Sequence, residues 1–578
     1  MTRGNTAPTS ARRRELAGHL NGAPTRDAPL VLPLSGAQRG LWLREQLIAG
    51  TLAYTETVAI DIEGPLDTAA LRTAINTVVR SQDSLRTAFV VGRSGPVQVV
   101  RPPSAVEVPL EEVPYPESQD GPDGLLDTVV RDGLLVPFDL GRAPLLRTRL
   151  YRVSDVRATL ALVVHHLVWD GGSMAVLLNG LADAYAAAGG GALAPQAAGD
   201  PTPSYADVVR TVRAREADAQ HRADADRWAD RFDDVPAGAL ARSVPADDGT
   251  PDRGGRRSGV IHREIPPPVR QRLRAEAAAA GCTTFMMGIA CLTAALRSGP
   301  APRPVLVSAP MSVRPQEAAG QIGYFTNTAP LVVTPPEGAS RRVFLEEVRR
   351  SCVESWTHRH VPLEHLVTAA RTRHTGTSPF ESVLFNSFSS TAPVQDGTGR
   401  TWTARWLPSR GPRCDLMVSW DETDERILAR FEYDADLITA DDAGRIADAV
   451  LSAAEHLASG TEVHYDELPR FATRATTASR PARDAPPPAA PAAVEVPARI
   501  RQAAEQVWRE ILGIEETDPL DDLDDFFALG GRSLEAVRIA TRLSTGLERR
   551  VPPRMVAEAE SFGEFLTLVA ATEREKAE

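Results

Sequence analysis

Over the first 470 residues, short β-branched runs alternate with stretches of helical apolar spacing. "TLALVVHH" (159–166) and "PVLVSAPMSV" (304–313) read as buried strands. "SMAVLLNGLADAYAAA" (173–188) has the spacing of an amphipathic helix, with Ser173 placed to cap it. The alternation predicts an α/β region. It breaks down in "TRATTASRPARDAPPPAAPAAVEVP" (473–497), where proline and alanine leave no apolar period and predict a semi-stiff extended linker. Beyond the linker, "ARIRQAAEQVWREILGI" (498–514) predicts the first amphipathic helix of a small helical domain. The resulting division is a flexible N-terminal segment at 1–29, a first lobe at 30–204, a second lobe at 205–470, a linker at 471–497 and a helical domain at 498–574. "PADDGTPDRGGRRSG" (245–259) reads as a surface loop, and no repeat of solenoid period is visible.

Composition narrows the function. A net charge of −12 argues against a nucleic-acid footprint, which needs a basic face. No run of 18 apolar residues suggests a membrane span, and the N-terminus lacks the apolar core of a secretory signal. The four cysteines (Cys282, Cys291, Cys352, Cys414) have no CxxC spacing and read as reduced thiols. The expected setting is the cytoplasm.

The chemistry concentrates in "VVHHLVWDGGSM" (163–174). Side chains alternate along a strand, so His165 and His166 are expected to face opposite sides, one toward a cavity and one toward packing. A lone strand-end histidine is most often a satisfied core group. Here an aspartate and two glycines follow at fixed spacing. A metal is not expected, because adjacent strand histidines diverge and no third ligand has the right spacing.

His165, His166, Asp170 and Gly171 form the pattern HHxxxDG. It resembles the signature of the condensation domains of non-ribosomal peptide synthetases, relatives of chloramphenicol acetyltransferase. Other blocks appear in the family's order: "LSGAQRGLWL" (34–43), "RSQDSLRTAF" (80–89), "PSYADVV" (203–209), "IGYFTNTAPL" (322–331), "HRHVPLEHLV" (358–367) and "SPFESVLFNSF" (378–388). Asp83 and Ser84 depart from the usual His–Glu of the second block. The resemblance implies two chloramphenicol-acetyltransferase-like lobes in a V shape and attack of an acceptor amine on a donor thioester. It casts His166 as the catalytic histidine, supported by His165. Two descriptions of His166 fit: a general base, or a group that orients the amine and steadies the intermediate. Gly171 would let a backbone N–H approach the oxyanion. Asp170 is implied to pair with Arg314 and hold the loop. Trp169, Gly172 and Asn327 are candidates to line the tunnel, Asn327 with a turn role as the equal alternative.

"DDFFALGGRSL" (524–534) resembles the attachment block of peptidyl carrier proteins. The resemblance implies a four-helix bundle with 4′-phosphopantetheine on Ser533. A helix-starting serine is also an excellent cap, but a helix N-terminus equally suits a phosphodiester. Arg532 stands where Asp or His is commoner, and Glu–Ser replaces Pro–Thr at 560–561. The implied partners are an upstream donor carrier, a separate adenylation enzyme and a phosphopantetheinyl transferase. Three rivals to amide formation are epimerisation, acyl transfer to a free amine or alcohol, and an inactive docking scaffold. A carrier placed downstream is expected to hold the acceptor. The extended linker, at ~3.1 Å per residue, and a tethered concentration of about millimolar suit that arrangement.

Overall fold

The computed structural model describes residues 28–47, 50–92, 95–115, 124–189, 203–232, 235, 257–297, 303–371, 380, 382–389, 391–423, 425–471, 496–515, 518–526, 529, 531, 533–559 and 561–572. The expected N-terminal segment and linker, most of the 245–259 loop, and Arg532 lie outside them. The chain divides into two compact units. One runs to Arg474 without Arg39–Gly50 and Val91–Gly95; the other comprises those two segments and Ala475–Glu578.

The larger unit holds two six-stranded mixed sheets. In the first, Arg157–His165 lies between Thr55–Glu63 and Leu146–Ser154, antiparallel to both. Every residue of this strand after Arg157 is buried. That explains its unbroken apolar run: a strand covered on both faces does not alternate. Leu110–Pro114 adds the one parallel pair at an edge of this sheet. The second sheet runs Thr326–Val333, Val305–Ser312, Val383–Ser389, Leu416–Glu422, Ile427–Asp434, Ser258–Ile265, with Val383–Ser389 parallel to both its neighbours.

Helices Thr284–Leu296 and Ala440–Leu457 bury their apolar residues in the same core as the second sheet. Gly288 makes the first of these contacts possible. A Cβ there would stand 2.1 Å from the Phe385 ring, well inside van der Waals contact. The helix therefore approaches the sheet only because this position has no side chain.

The division at residue 204/205 needs correction. Val394–Gln395 and Thr401–Trp406, from the presumed second lobe, complete the first sheet, with Thr401–Trp406 pairing antiparallel to Thr55–Glu63. The reason is edge closure: without this hairpin the Thr55–Glu63 strand would expose an unpaired edge beside its buried faces. Helix Tyr205–Glu216 likewise joins both parts, burying Tyr205, Val208 and Val209 with Leu32, Val100, Ala318 and Phe325. It starts at a capping box of Ser204 and Asp207.

The Ala475–Glu578 part of the smaller unit has four helices among its described residues: Ala498–Leu512, Ser533–Leu547, Pro553–Glu558 and Phe562–Ala571. Trp508 anchors its core, with its ring centroid 4.8 Å from Phe562 and 5.5 Å from Phe526.

The crossover hairpin is pinned by fully buried Trp402, whose Nε1 donates to Asp396 Oδ2 at 3.2 Å and whose ring meets Tyr185 edge-on. Trp402→Ala is expected to cost about 3–5 kcal/mol, the usual range for truncating a buried aromatic. Urea denaturation of the whole chain measures it; a loss below about 1 kcal/mol would show that the hairpin contributes little.

Candidate active site

The strand ends at His165, and His166 opens a single 3₁₀ turn, His166–Val168. His165 is 1% exposed, and its Nδ1 accepts the Leu167 N–H at 3.1 Å. It braces the turn from below. His166 takes another direction. Its Nδ1 lies 2.7 Å from the Trp169 carbonyl. A carbonyl only accepts, so Nδ1 carries the hydrogen and Nε2 holds the lone pair of the neutral ring. Tyr324 meets the ring edge-on at 5.3 Å.

Asp170 locks this turn. Its Oδ1 accepts from Ser173 N–H at 2.9 Å, Ser173 Oγ at 2.8 Å and Arg314 Nη2 at 2.5 Å; its Oδ2 accepts from Phe325 N–H at 2.9 Å. The pair is buried, with side chains 2% and 12% exposed. Arg314 Nη1 donates to the carbonyls of Ala318 and Gln321. The expected Asp170–Arg314 pair is thus present. Ser173 is not the cap expected for the next helix. That position falls to Gly172, and Ser173 is the first residue of Ser173–Ala188, its hydroxyl engaged by Asp170.

The tunnel candidates are placed elsewhere. Trp169 is buried in the first lobe, 6.2 Å from the Trp406 ring, and borders an apolar void of about 10 Å³. Gly172 backs onto Arg314: a Cβ there would lie 3.0 Å from Nε. A side chain there would press the guanidinium aside by a few tenths of an ångström. Asn327 donates to the carbonyls of Arg359 and Val361 at 2.8 and 2.6 Å. That is the turn role, pinning the loop before helix Leu363–Arg371. Gly171 does face open space, with nothing within 4 Å of a Cβ built on it.

Sequence reading missed the groups around Nε2. Glu56 Oε1 stands 3.2 Å from it and Arg413 Nη1 3.4 Å, and Arg413 Nη2 pairs with the same Glu56 oxygen. Register explains the meeting. Thr55 pairs with His165, and the crossover strand pairs Trp406 with Val58, so the chain leaving it returns Arg413 to Glu56. Behind them, Arg430 approaches Glu432 at 3.5 Å. Burial pushes the His166 imidazole below its ordinary value; Glu56 opposes this and Arg413 reinforces it. Burial also pushes Glu56 up, but Arg413 and His166 outweigh it and hold the carboxyl below the usual range. Glu432, with weaker compensation, is left raised by its burial. The sequence signal was weak: Glu56 sits between two threonines in "YTETVAI", and Arg413 lies two residues before Asp415 in "PRCDLMV".

In the smaller unit, Gly531 folds back so that its N–H reaches the Phe526 carbonyl at 3.0 Å. A Cβ on Gly531 would lie 2.4 Å from the Phe526 ring. This close approach delivers the chain to Ser533, the first residue of Ser533–Leu547. The helix start suits a phosphodiester, which its free N–H groups favour. The residues present therefore fit 4′-phosphopantetheine.

A histidine at a strand end, its turn locked by a buried aspartate–arginine pair between two mixed sheets, in a chain that also carries a small helical domain, defines an enzyme of the acyl-transfer class. The chain belongs to the condensation domain family, whose pattern matches residues 30–475; the description "Phosphopantetheine attachment site" matches residues 502–569. Chondramide synthase cmdD of Chondromyces crocatus is 29% identical over 430 residues, 73% of this chain and 11% of that protein. Phosphinothricin tripeptide synthetase PhsC of Streptomyces viridochromogenes is 29% identical over 429 residues, 72% of this chain and 38% of that protein. The chain thus spans well under half of these relatives. Among solved structures, the first condensation domain of the calcium-dependent antibiotic synthetase, in complex with substrate analogue 3a, matches with a TM-score of 0.64 at 25% identity, covering 76% of this chain and 98% of that one. SgcC5 of Streptomyces globisporus shares the fold, with a TM-score of 0.62 at 20% identity over 74% of this chain and 98% of that one. The chain is a condensation–carrier didomain of the non-ribosomal peptide synthetase type, an amide-bond-forming acyltransferase with covalent 4′-phosphopantetheine as its cofactor.

Asp170→Ala leaves the buried Arg314 guanidinium without its carboxylate and is expected to destabilise the chain by about 3–5 kcal/mol. A double-mutant cycle with Arg314→Met, read by urea unfolding, checks the coupling; strictly additive losses would mean the two residues act separately.

Proposed function

We propose that the chain joins a donor acyl or peptidyl thioester, presented by a carrier on another polypeptide, to an aminoacyl acceptor presented from its own Ser533. The observation that carries this reading is the orientation of His166. With Nδ1 committed to the Trp169 carbonyl, Nε2 is the basic atom, on a side chain that remains 16% exposed. The lowered imidazole is neutral near pH 7 and ready to accept a proton. As the acceptor nitrogen bonds to the thioester carbon and the carbon–sulfur bond breaks, Nε2 takes the proton from nitrogen and returns it to the departing sulfur. Asp170 transfers no proton in this scheme; it keeps the turn rigid, so that little orientation is lost at the moment of attack. Gly171 offers the open backbone beside which the oxyanion can form. When bound, the phosphopantetheine supplies a thiol on which acyl groups are held as thioesters. An upstream donor carrier, a separate adenylation enzyme and a phosphopantetheinyl transferase complete the reading. The four free thiols are in keeping with a reducing, cytoplasmic setting.

Four measurements test this. Ser533→Ala should gain no mass from coenzyme A and a carrier transferase; a gain equal to the wild type's would place the group on another residue. His166→Ala should slow single-turnover amide formation by about 10²–10⁴-fold, the range for positioned acid–base groups. A rate within a few-fold of wild type would reduce His166 to packing. Activity should fall as acid protonates His166. The acid limb of kcat/KM should therefore lie below the 6.5 of an ordinary imidazole. The direction of transfer is read by labelling the acceptor on Ser533: the lengthened product should stay there, and departure of the label to another carrier would reverse the assignment.

A further inference from the structure

We infer that Glu56, held in place by Arg413, orients the acceptor's amine against His166 Nε2 and thereby selects amine over hydroxyl acceptors. The inference rests on the reading of His166 given above and goes beyond it to a positioning residue and to the class of acceptor.

The geometry centres on Nε2, the one basic atom of the site. Glu56 Oε1 is 3.2 Å away and Arg413 Nη1 is 3.4 Å away. Although deep in the fold, the three side chains keep 16%, 10% and 15% of their surface. Arg413 is anchored from behind through its Nε to the Ala53 carbonyl at 2.7 Å. It grips Glu56 through Oε1. Among the described residues, Glu56 Oε2 takes no protein donor, which leaves one carboxylate oxygen for an incoming group.

The Arg413 guanidinium repels a cationic acceptor; the carboxylate it holds beside Nε2 offsets that penalty. An ammonium seated on Oε2 lies beside Nε2 and first gives up one proton to solvent. The neutral amine then bonds to the thioester carbon, Nε2 takes its second proton, the C–S bond breaks, and that proton passes from Nε2 to sulfur. Glu56 remains a carboxylate throughout and faces the transient imidazolium at 3.2 Å. A hydroxyl acceptor is neutral and gains much less from the same oxygen, since charge-assisted hydrogen bonds are roughly twice as strong as neutral ones. The alternative, a purely structural ion pair, accounts poorly for the placement. Buried ion pairs contribute little net stability, and packing does not require this one to touch Nε2. The charged and titratable groups that act on His166 are Glu56 and Arg413, with Asp170 more distant and the Tyr324 ring edge-on. Those acting on Glu56 are Arg413, His166 and Arg430.

The test is Glu56→Gln, which keeps the shape and an oxygen for Arg413. Single-turnover assays compare aminoacyl-loaded and hydroxyacyl-loaded full chain with one preloaded donor carrier. The expected result is a loss of about tenfold or more with the amine and about twofold or less with the hydroxyl, the size of one hydrogen bond to a charged group. Independently of turnover, an NMR titration of ¹⁵N-histidine in the unloaded chain should move His166 to a lower pKa, because Glu56 raises it. Glu56→Asp, which keeps the charge, should restore the titration and part of the selectivity, and it carries the comparison if the glutamine variant does not fold. Equal losses with both acceptors, or an unmoved His166 titration, would overturn the inference and leave the wider reading standing. If the wild type makes no amide from correctly loaded partners, the wider reading falls and this one with it.

Discussion

Asp170 receives four hydrogen-bond donors, from Ser173, Arg314 and Phe325, on two oxygens that are almost wholly out of water. Those donors come from three segments. Ser173 begins the helix after the histidine turn, Arg314 follows the strand Val305–Ser312 of the second sheet, and Phe325 precedes the strand Thr326–Val333. One carboxylate therefore fixes the turn that follows the first sheet's central strand against the edge of the second sheet. A buried charge tolerates only the geometry that satisfies it, so the turn has few alternatives. The direction of His166 follows, because Trp169, whose carbonyl holds Nδ1, is the residue immediately before Asp170.

The second constraint is the crossover. The strand Thr401–Trp406 leaves the part of the chain that builds the second sheet and completes the first. Its pairing covers the edge of Thr55–Glu63, and its exit carries Arg413 to Glu56. The cluster of His166, Glu56 and Arg413 is thus assembled from three places: the end of the central strand, the start of its neighbour, and the segment returning from the crossover. Packing and site geometry share one cause here, since register decides both.

This explains what the sequence could and could not reveal. The buried strand, the helix Ser173–Ala188, the paired histidines and the glycine–serine start of the carrier helix are legible because each depends on residues close in sequence. Asp170–Arg314 was named only through family resemblance, as its partners are 144 residues apart. The contact between Arg413 and Glu56 spans 357 residues, and no local pattern marks it. Gly172 and Trp169 were assigned to a tunnel because they flank the motif. Proximity in sequence says nothing about direction, and both turn inward, one onto Arg314 and the other into the core. Ser173 shows the same limit: a serine before a helix predicts a cap, but a buried carboxylate three residues earlier competes for its hydroxyl and wins.

The charges beneath the histidine remain to be reconciled with stability. Glu56, Arg413, Glu432 and Arg430 balance in number, yet their environments differ. Glu56 is held ionised by a close guanidinium, whereas Glu432 is left with a raised pKa. Replacing a buried ion pair by well-packed apolar residues is often neutral or stabilising, so cohesion alone gives no reason for the network. Its effect lies in where it places fixed charge. Burial drives His166 toward the neutral form, Arg413 drives it further, and Glu56 restrains the fall. The imidazole is left unprotonated but still basic, with a negative group beside the atom that must receive a proton. A rigid turn alone would aim His166 correctly; the neighbouring pair determines what it is aimed at.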